Sequence, residues 1–331
     1  MMYANSPSPV QSKPVFRGTS CREGRFGTSP ASGMESPERK PGMQSLVSTT
    51  KIRQRILLQK EIPPLPLTAR KILCMPPDAE ISELVDIIEN APELAARLLG
   101  MANAAYFGWP GGVWTIYDAI YKVLGIKLVK SLVMGLALSQ AFEVKKCRGF
   151  KPERYWFTAV VTAQLAQGLF PHLSCSSRCK LDNVHMNGLL HNLGIAVLAH
   201  TYPFEMSQAF SGPFGEPVPP TTERIRAVLG VDQMQAGAWI ARKWHLPRDI
   251  YCVMEHCKDP GYRGDFWSIA LLVGYCERRA QRLFATGDLG HEPESEALLG
   301  IGEAALEKMR LTIEGQLEEL YSMVSLMATG E

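Results

Sequence analysis

His172, Cys175 and Cys179 lie close together in the run HLSCSSRC. Imidazole and thiolate are zinc ligands, but a structural zinc site takes four of them, usually in more tightly spaced pairs. No second cysteine pair stands nearby, so no metal is expected here. His191 lies in LLHNLGIAVL, a segment apolar on nearly all sides. The expected role is a buried neutral histidine bonded to a neighbouring carbonyl rather than a metal ligand. Gly188 and Gly194 flank the His191–Asn192 pair and suit close helix packing; no GxxxxGK[ST] phosphate loop is present. The run from Lys122 to Arg154 carries Lys127, Lys130, Lys145, Lys146, Arg148 and Lys151, with Glu143 and Glu153 as its acids. It reads as a solvated helix face and loop, or as a surface for an anionic partner: nucleic acid, a nucleotide or an acidic protein surface. No G-x-S-x-G, H-E-x-x-H or kinase-type loop marks a nucleophile or a catalytic metal.

The chain that must position these residues has 331 of them, enough for about two domains of roughly 150 residues or one with tails. Apolar residues make up 46%, so a sizeable core can be buried. Thirty-five basic against 33 acidic side chains leave a net charge of +2, which weakens the case for a dedicated nucleic-acid binder. The longest apolar stretch, residues 131–142, falls short of the roughly 20 that a membrane helix needs. The first residues form no apolar signal core. Eight scattered cysteines in a chain this long suggest free, mostly buried thiols in a reducing cytoplasm.

Residues 1–50 are rich in Ser, Pro, Gly and Arg and poor in apolar side chains, which predicts a disordered, mildly basic tail. From Lys51 the periodicity is helical. Ile81, Leu84, Val85, Ile87 and Ile88 mark one amphipathic face, and Pro92 suits the first turn of the next helix. Thr115 opens a further helix that Gly125 ends, and 126–142 is a long apolar helix. Helices are expected at 154–170, at 181–200 as one continuous element, and at 222–229, 231–244 and 248–257. The last ones are expected at 266–284 and, again unbroken, at 303–327. Trp239, Trp244 and Met254 read as core. Prolines between 203 and 220 predict a connecting region. No alternating pattern marks a strand, so the fold class is all-α.

Several segments, taken in order, resemble the HDOD domain, a degenerate helical relative of the HD and HD-GYP metal-dependent phosphohydrolases. They are IPPLPLTARKIL with DIIENAPELAARLLGMANAAYFG, then IYDAIYKVLGIKLVKSLVMGLAL, then NGLLHNLGIAVLAH with GVDQMQAGAWIARKWHLPRDIYCVMEHCKDP. The resemblance implies a two-lobed helical domain: a first lobe over 51–149, an HD-like second lobe over 150–285, and a C-terminal helical extension over 286–331.

The resemblance also implies where an HD hydrolase would place its metal ligands. His191–Asn192 stands where those enzymes carry His-Asp, and an amide has no charge to offset a divalent cation. The upstream histidine position falls on Thr158, and further histidine positions fall on Gln233 and on the pair His256–Cys257. The late aspartate position falls at Cys276, or at Glu277 in a register shifted by one. The implied reading is therefore a non-catalytic bacterial signal-transduction module that acts through a protein partner, with no cofactor and no metal. A metal-dependent phosphohydrolase with altered ligands, or a nucleic-acid-associated regulator using residues 122–154, are the alternatives.

Overall fold

In the computed structural model the described residues run from 49 to 328, except 59–61, 77–78, 106–110, 175–182, 214 and 217. The expected tail, up to residue 48, and both Cys175 and Cys179 lie outside them. All described residues belong to one unit spanning 45–331, and they are helical, with no β-strand among them.

The first helices are α1 (Thr49–Leu58), α2 (Leu67–Leu73), α3 (Ile81–Glu89) and α4 (Pro92–Ala105). Thr115 caps α5 (Ile116–Asp118) by accepting from the Asp118 amide, and a π-helical turn over Ala119–Leu124 leads to Gly125. Gly125 takes φ of 75°, the left-handed conformation that a residue without Cβ adopts freely, and so ends the helix where its sequence indicated. Then come α6 (Ile126–Ala141), α7 (Pro152–Leu169), α8 (Val184–Leu190) and α9 (Leu193–Thr201). They are followed by α10 (Pro203–Ala209), α11 (Thr222–Leu229), α12 (Gln233–Lys243), α13 (Arg248–His256) and α14 (Trp267–Thr286). The chain closes with α15 (Pro293–Leu299), α16 (Glu303–Gly315) and α17 (Leu317–Ala328).

Helix α7 is buried on every side, from Trp156 and Phe157 through Val160, Val161 and Leu165 to Leu169. A helix without a polar face must be covered all round, and α8, α14, α16 and α17 pack against it. Gly135 shows how closely α6 approaches: a Cβ there would lie 3.0 Å from Trp156, 3.1 Å from Met327 and 3.3 Å from Leu189. Four helices (α6, α7, α8 and α17) therefore meet around one residue without a side chain, with no space left for one.

Three expectations need correction. The continuous helix expected over 181–200 is two helices, broken at His191–Asn192, where Asn192 has left helical geometry (φ −99°, ψ 14°). The break is tertiary in origin. Asn192 is drawn sideways by a hydrogen bond to Glu277, and Gly194 is pressed onto α12, so a straight continuation of α8 would satisfy neither. The helix expected over 303–327 turns at Gly315–Gln316. The proline-rich connection contains a short helix, α10, that begins on Pro203 at its first position.

The ends of the unit do not stay beside their neighbours in sequence. Helix α1, expected with the first lobe, lays fully buried Ile52 and Ile56 into the core and packs on α12. The Thr49 hydroxyl donates to the Gly230 carbonyl at 3.1 Å, and Lys243 Nζ to the Ile56 carbonyl at 3.3 Å. The segment expected as an extension supplies Met323, Val324 and Met327 to the core through α17, which packs on α4, α6 and α7.

Leu190, 2% exposed on α8, is the point at which to test this arrangement. Leu190→Asp would bury an unpaired charge and is expected to lower stability by about 3 kcal/mol or more. Charge reversal at exposed Lys145 and Lys146 should change it by less than about 0.5 kcal/mol. Thermal melting of both variants checks the pair, and a Leu190→Asp protein that melts like its parent would remove α8 from the core.

Candidate functional site: a lysine-filled HD-type centre

The centre is built where α8–α9, α13 and α14 come together. Two glycines set the spacing. A Cβ on Gly194 would stand 1.7 Å from the Gln233 carbonyl oxygen, so α9 touches α12 backbone to backbone. A Cβ on Gly274 would stand 1.8 Å from the Cys257 carbonyl oxygen, so α14 lies directly on the end of α13. Glu277 follows Gly274 by three residues, nearly one helical turn, and so projects from a similar face. Lys258 follows Cys257, and the two side chains meet.

Glu277 is 1% exposed. Its Oε1 accepts from Asn192 Nδ2, from Lys258 Nζ and from Gln281 Nε2, each at 2.8 Å. His191 Nε2 faces the same oxygen at 3.7 Å, beyond hydrogen-bonding distance. Nδ1 of that ring lies 2.6 Å from the Gly188 carbonyl and donates to it, the partner type expected from sequence. Burial alone would raise the Glu277 pKa. Lys258, then His191, outweigh burial, and the carboxyl is held well below the usual carboxylate range. Burial would lower the Lys258 pKa, but Glu277 reverses this and the ammonium titrates above its ordinary value.

The other residues singled out in the sequence fall at varying distance from this centre. Thr158, buried on α7, lines a cavity of about 100 Å³ together with Lys258 and Gln281. Cys257 is buried at the end of α13, where burial first and the Glu277 carboxylate second push its thiol up to about 12. Cys276 does not face His191 and Asn192. One residue before Glu277, it points about 100° away around α14, and burial pushes its thiol up as well. The α14 side chain that faces His191 and Asn192 is Glu277, the alternative given with Cys276. His256 stacks flat on Tyr262 at 3.7 Å and lines a separate depression that also reaches Lys258. Gln233 is spent on a bond from its Nε2 to Thr222 Oγ1 at 2.8 Å, a tie between α12 and α11.

Lys258 was not among the residues singled out. In HCKDP it reads as a solvated turn residue, and its only sequence signal is adjacency to His256–Cys257. The basic run is also divided by the fold. Lys127 and Lys130 stand near the start of α6, whereas Lys145, Lys146, Arg148 and Lys151 follow its end. Sixteen residues of helix span about 24 Å. Lys146 pairs with Glu143 at 3.2 Å, and Lys130 reaches the Pro76 carbonyl at 3.5 Å.

The sequence profile of the HDOD domain matches residues 62–260. The chain belongs to the HDOD family. A relative from Treponema pallidum (strain Nichols), named only as an uncharacterized protein, is 26% identical over 247 residues. That match takes in 74% of this chain and 46% of the relative, so the chain spans about half the length of the curated relative it matches. Among solved structures, a protein from Marinobacter aquaeolei VT8, provisionally named for signal transduction, superposes with a TM-score of 0.66 at 26% identity. It is covered over 60% of its length and covers 81% of this HDOD chain. An HDOD domain protein of unknown function from Geobacter sulfurreducens superposes with a TM-score of 0.62 at 18% identity, covering 84% of this chain and 99% of its own. A protein from Shewanella amazonensis SB2B, provisionally named a phosphohydrolase, gives 0.64 at 19% identity, over 86% of this chain and 100% of its own. The last two likenesses concern the fold alone.

The HD relatives of this family imply a divalent metal at the His191–Asn192 position, and the donor set present does not fit one. The Glu277 oxygen that faces His191 Nε2 already accepts from three N–H donors, which a metal between the two side chains would have to displace. It would also sit against an ammonium group 2.8 Å from that oxygen, where like charges repel strongly. Among the described residues no three His, Cys, Asp or Glu side chains cluster with a geometry suited to a metal ion.

Proposed function

We propose that this HDOD chain is a non-catalytic regulatory module of signal transduction that works through a protein partner, its HD-type centre having become part of the core. One observation carries the reading. Lys258 Nζ pairs with Glu277 Oε1 at 2.8 Å, so the positive charge that a hydrolase would borrow from a metal is supplied by the chain itself. Such a charge is fixed by the fold. It offers no open coordination position and no metal-bound water, the two things metal-assisted phosphodiester cleavage needs.

The signal-transduction name of the Marinobacter protein supports a regulatory role. So does the surface near the π-helical turn, where Trp114, Tyr117 and Tyr121 are 82%, 47% and 68% exposed and the two tyrosines stack at 5.8 Å. Exposed tryptophan and tyrosine side chains are the type that dominates partner interfaces. No helix among the described residues is long and apolar enough to cross a membrane.

The test is a metal titration with a hydrolysis assay on the same sample. Manganese, magnesium, iron(II) or zinc should leave the melting temperature unchanged at concentrations where HD-type enzymes are loaded, and no phosphodiester should be cleaved. A saturable rise in melting temperature that His191→Ala abolishes, or metal-dependent cleavage of a generic phosphodiester, would overturn the reading.

A further inference from the structure

The cavity that exposes Lys258 has a charge composition the regulatory role does not use. Lys151, Arg154 and Lys258 line it, and among the described residues no carboxylate does. Glu277 is buried outside that lining, bonded to Lys258 and Gln281. Lys258 is offset by Glu277, and Glu223 also lies near enough to interact with it, so the two uncompensated positive charges are those of Lys151 and Arg154. Arg154 is half-buried, has the Phe284 ring 5.2 Å from its guanidinium carbon, and has no acid partner among the described residues. Burial lowers its pKa, the mark of a cation short of counter-charge. Lys151 is exposed and likewise has no acid partner among the described residues.

The cavity is about 100 Å³, the liquid volume of roughly three waters. That suits one tetrahedral anion and little more. Phe150 and Tyr155 form its border with a second groove of about 450 Å³, mostly apolar, which continues past Val144 and Trp156. Phe150 lies 5.5 Å from Tyr155 and edge-on to Phe210 at 5.9 Å, so a firm aromatic wall joins the two spaces.

We propose that this pair of spaces binds a small phosphate monoester, its dianion held by Arg154, Lys151 and Lys258 and its flat apolar carrier laid along the Phe150–Tyr155 wall. Two positive charges match a monoester, which carries close to two negative charges at neutral pH, better than a carboxylate or a phosphodiester, which carry one. Thr158 and Gln281 add polar side chains at the same cavity. The proposal rests on the regulatory reading in one respect: the phosphate is bound and not hydrolysed, so the ligand would act as the module's input signal.

Calorimetric titration of the full chain at pH 7.5 tests this, with phenyl phosphate and adenosine monophosphate as probes and phenol and adenosine as unphosphorylated controls. Each phosphate should bind at least about ten-fold more tightly than its control, since charge-assisted bonds to guanidinium and ammonium are the strong ones. Tighter binding of the nucleotide than of phenyl phosphate would mark the natural carrier as a nucleoside, and the reverse order another aromatic. Arg154→Gln should weaken binding about ten-fold and Lys151→Gln less, Lys151 being exposed and its variant safe for the fold. Saturation by neither phosphate up to millimolar concentration would overturn the proposal, as would binding that both variants leave unchanged. Released phosphate is measured in parallel. Release from a bound probe would overturn the non-catalytic reading while leaving the binding site in place, and absence of both binding and release would do the opposite.

Discussion

Lys258→Met is expected to lower stability by about 3–5 kcal/mol at pH 7, the range for breaking a buried ion pair from one side. The loss comes from what is left behind. Glu277 would remain at 1% exposure with two amide donors and no cation. Gln281→Ala, which removes one of those donors and no charge, should cost only about 1 kcal/mol. The double variant Lys258→Met/Glu277→Gln should recover most of the loss, because the charge and its partner leave together.

The pH dependence gives the pair a second signature. In the parent the Glu277 pKa is depressed below its ordinary 4.5, so its contribution is present above about pH 4.5 and fades as pH falls below it. The Lys258 pKa is raised above 10.5, so its contribution is present below about pH 10.5 and fades only in stronger alkali. Between these limits the pair's own contribution is flat with pH. Buried His185, its pKa lowered by burial to about 4, costs parent and variant alike some stability below about pH 6.5. In Lys258→Met the carboxyl loses its cation and burial dominates, raising its pKa. Relative to the parent, the variant should then gain stability on acidification from pH 8 to pH 5. Urea denaturation of both proteins at several pH values reads both effects. A variant as stable as the parent and with the same pH profile would mean that Glu277 is not held ionised by Lys258.

The second large effect is expected at the glycines that set the helix spacing. Gly194→Ala places a methyl 1.7 Å from the Gln233 carbonyl, and Gly274→Ala places one 1.8 Å from that of Cys257. In both cases the obstacle is backbone, which no rotamer change can move aside. Each substitution is expected to cost about 3 kcal/mol, at the upper end for overpacking. Gly274→Ala should also raise the reactivity of Cys257, since it prises α14 from the residue next to Lys258. Gly315→Ala has nothing within 4 Å of its added carbon and serves as the control. If Gly194→Ala and Gly274→Ala melt like Gly315→Ala, the helices at the centre are less closely joined than described.

Much of this fold was legible in the chain. Pro92, Thr115, Gly125, Pro152, Gly230 and Pro247 mark helix boundaries by local chemistry, and the helices begin or end beside them. The break at His191–Asn192 was not legible, because nothing local requires it: LLHNLGIAVL carries no proline and is apolar around its His-Asn pair, and the turn is imposed by Glu277 and by the Gln233 backbone, neither near in sequence. The break at Gly315 did have a local signal, a glycine in the middle of an amphipathic pattern. At the candidate site, His191, Asn192 and Thr158 were found because their positions could be compared with a ligand pattern. Lys258 escaped because no pattern of metal ligands contains a lysine. Cys276 was named with Glu277 as the alternative, and one residue on a helix changes the direction of a side chain by more than a quarter turn, so only Glu277 meets Asn192.

The placement of α1 and α17 bears on how the chain reaches its folded state during synthesis. Ile52 and Ile56 are covered by α12, about 180 residues later, and the region between α4 and α7 is filled by Met323, Val324 and Met327, more than 200 residues after α4 begins. Contacts this distant in sequence carry a large loop-closure cost and slow the search for the native arrangement. A nascent chain that has emerged only as far as α14 has every helix of the HD-type centre in hand and still lacks the one that seals the core. Its apolar surfaces stay open until α17 has emerged, and the interval in which such a chain is exposed to aggregation includes the time needed to translate residues 287–328.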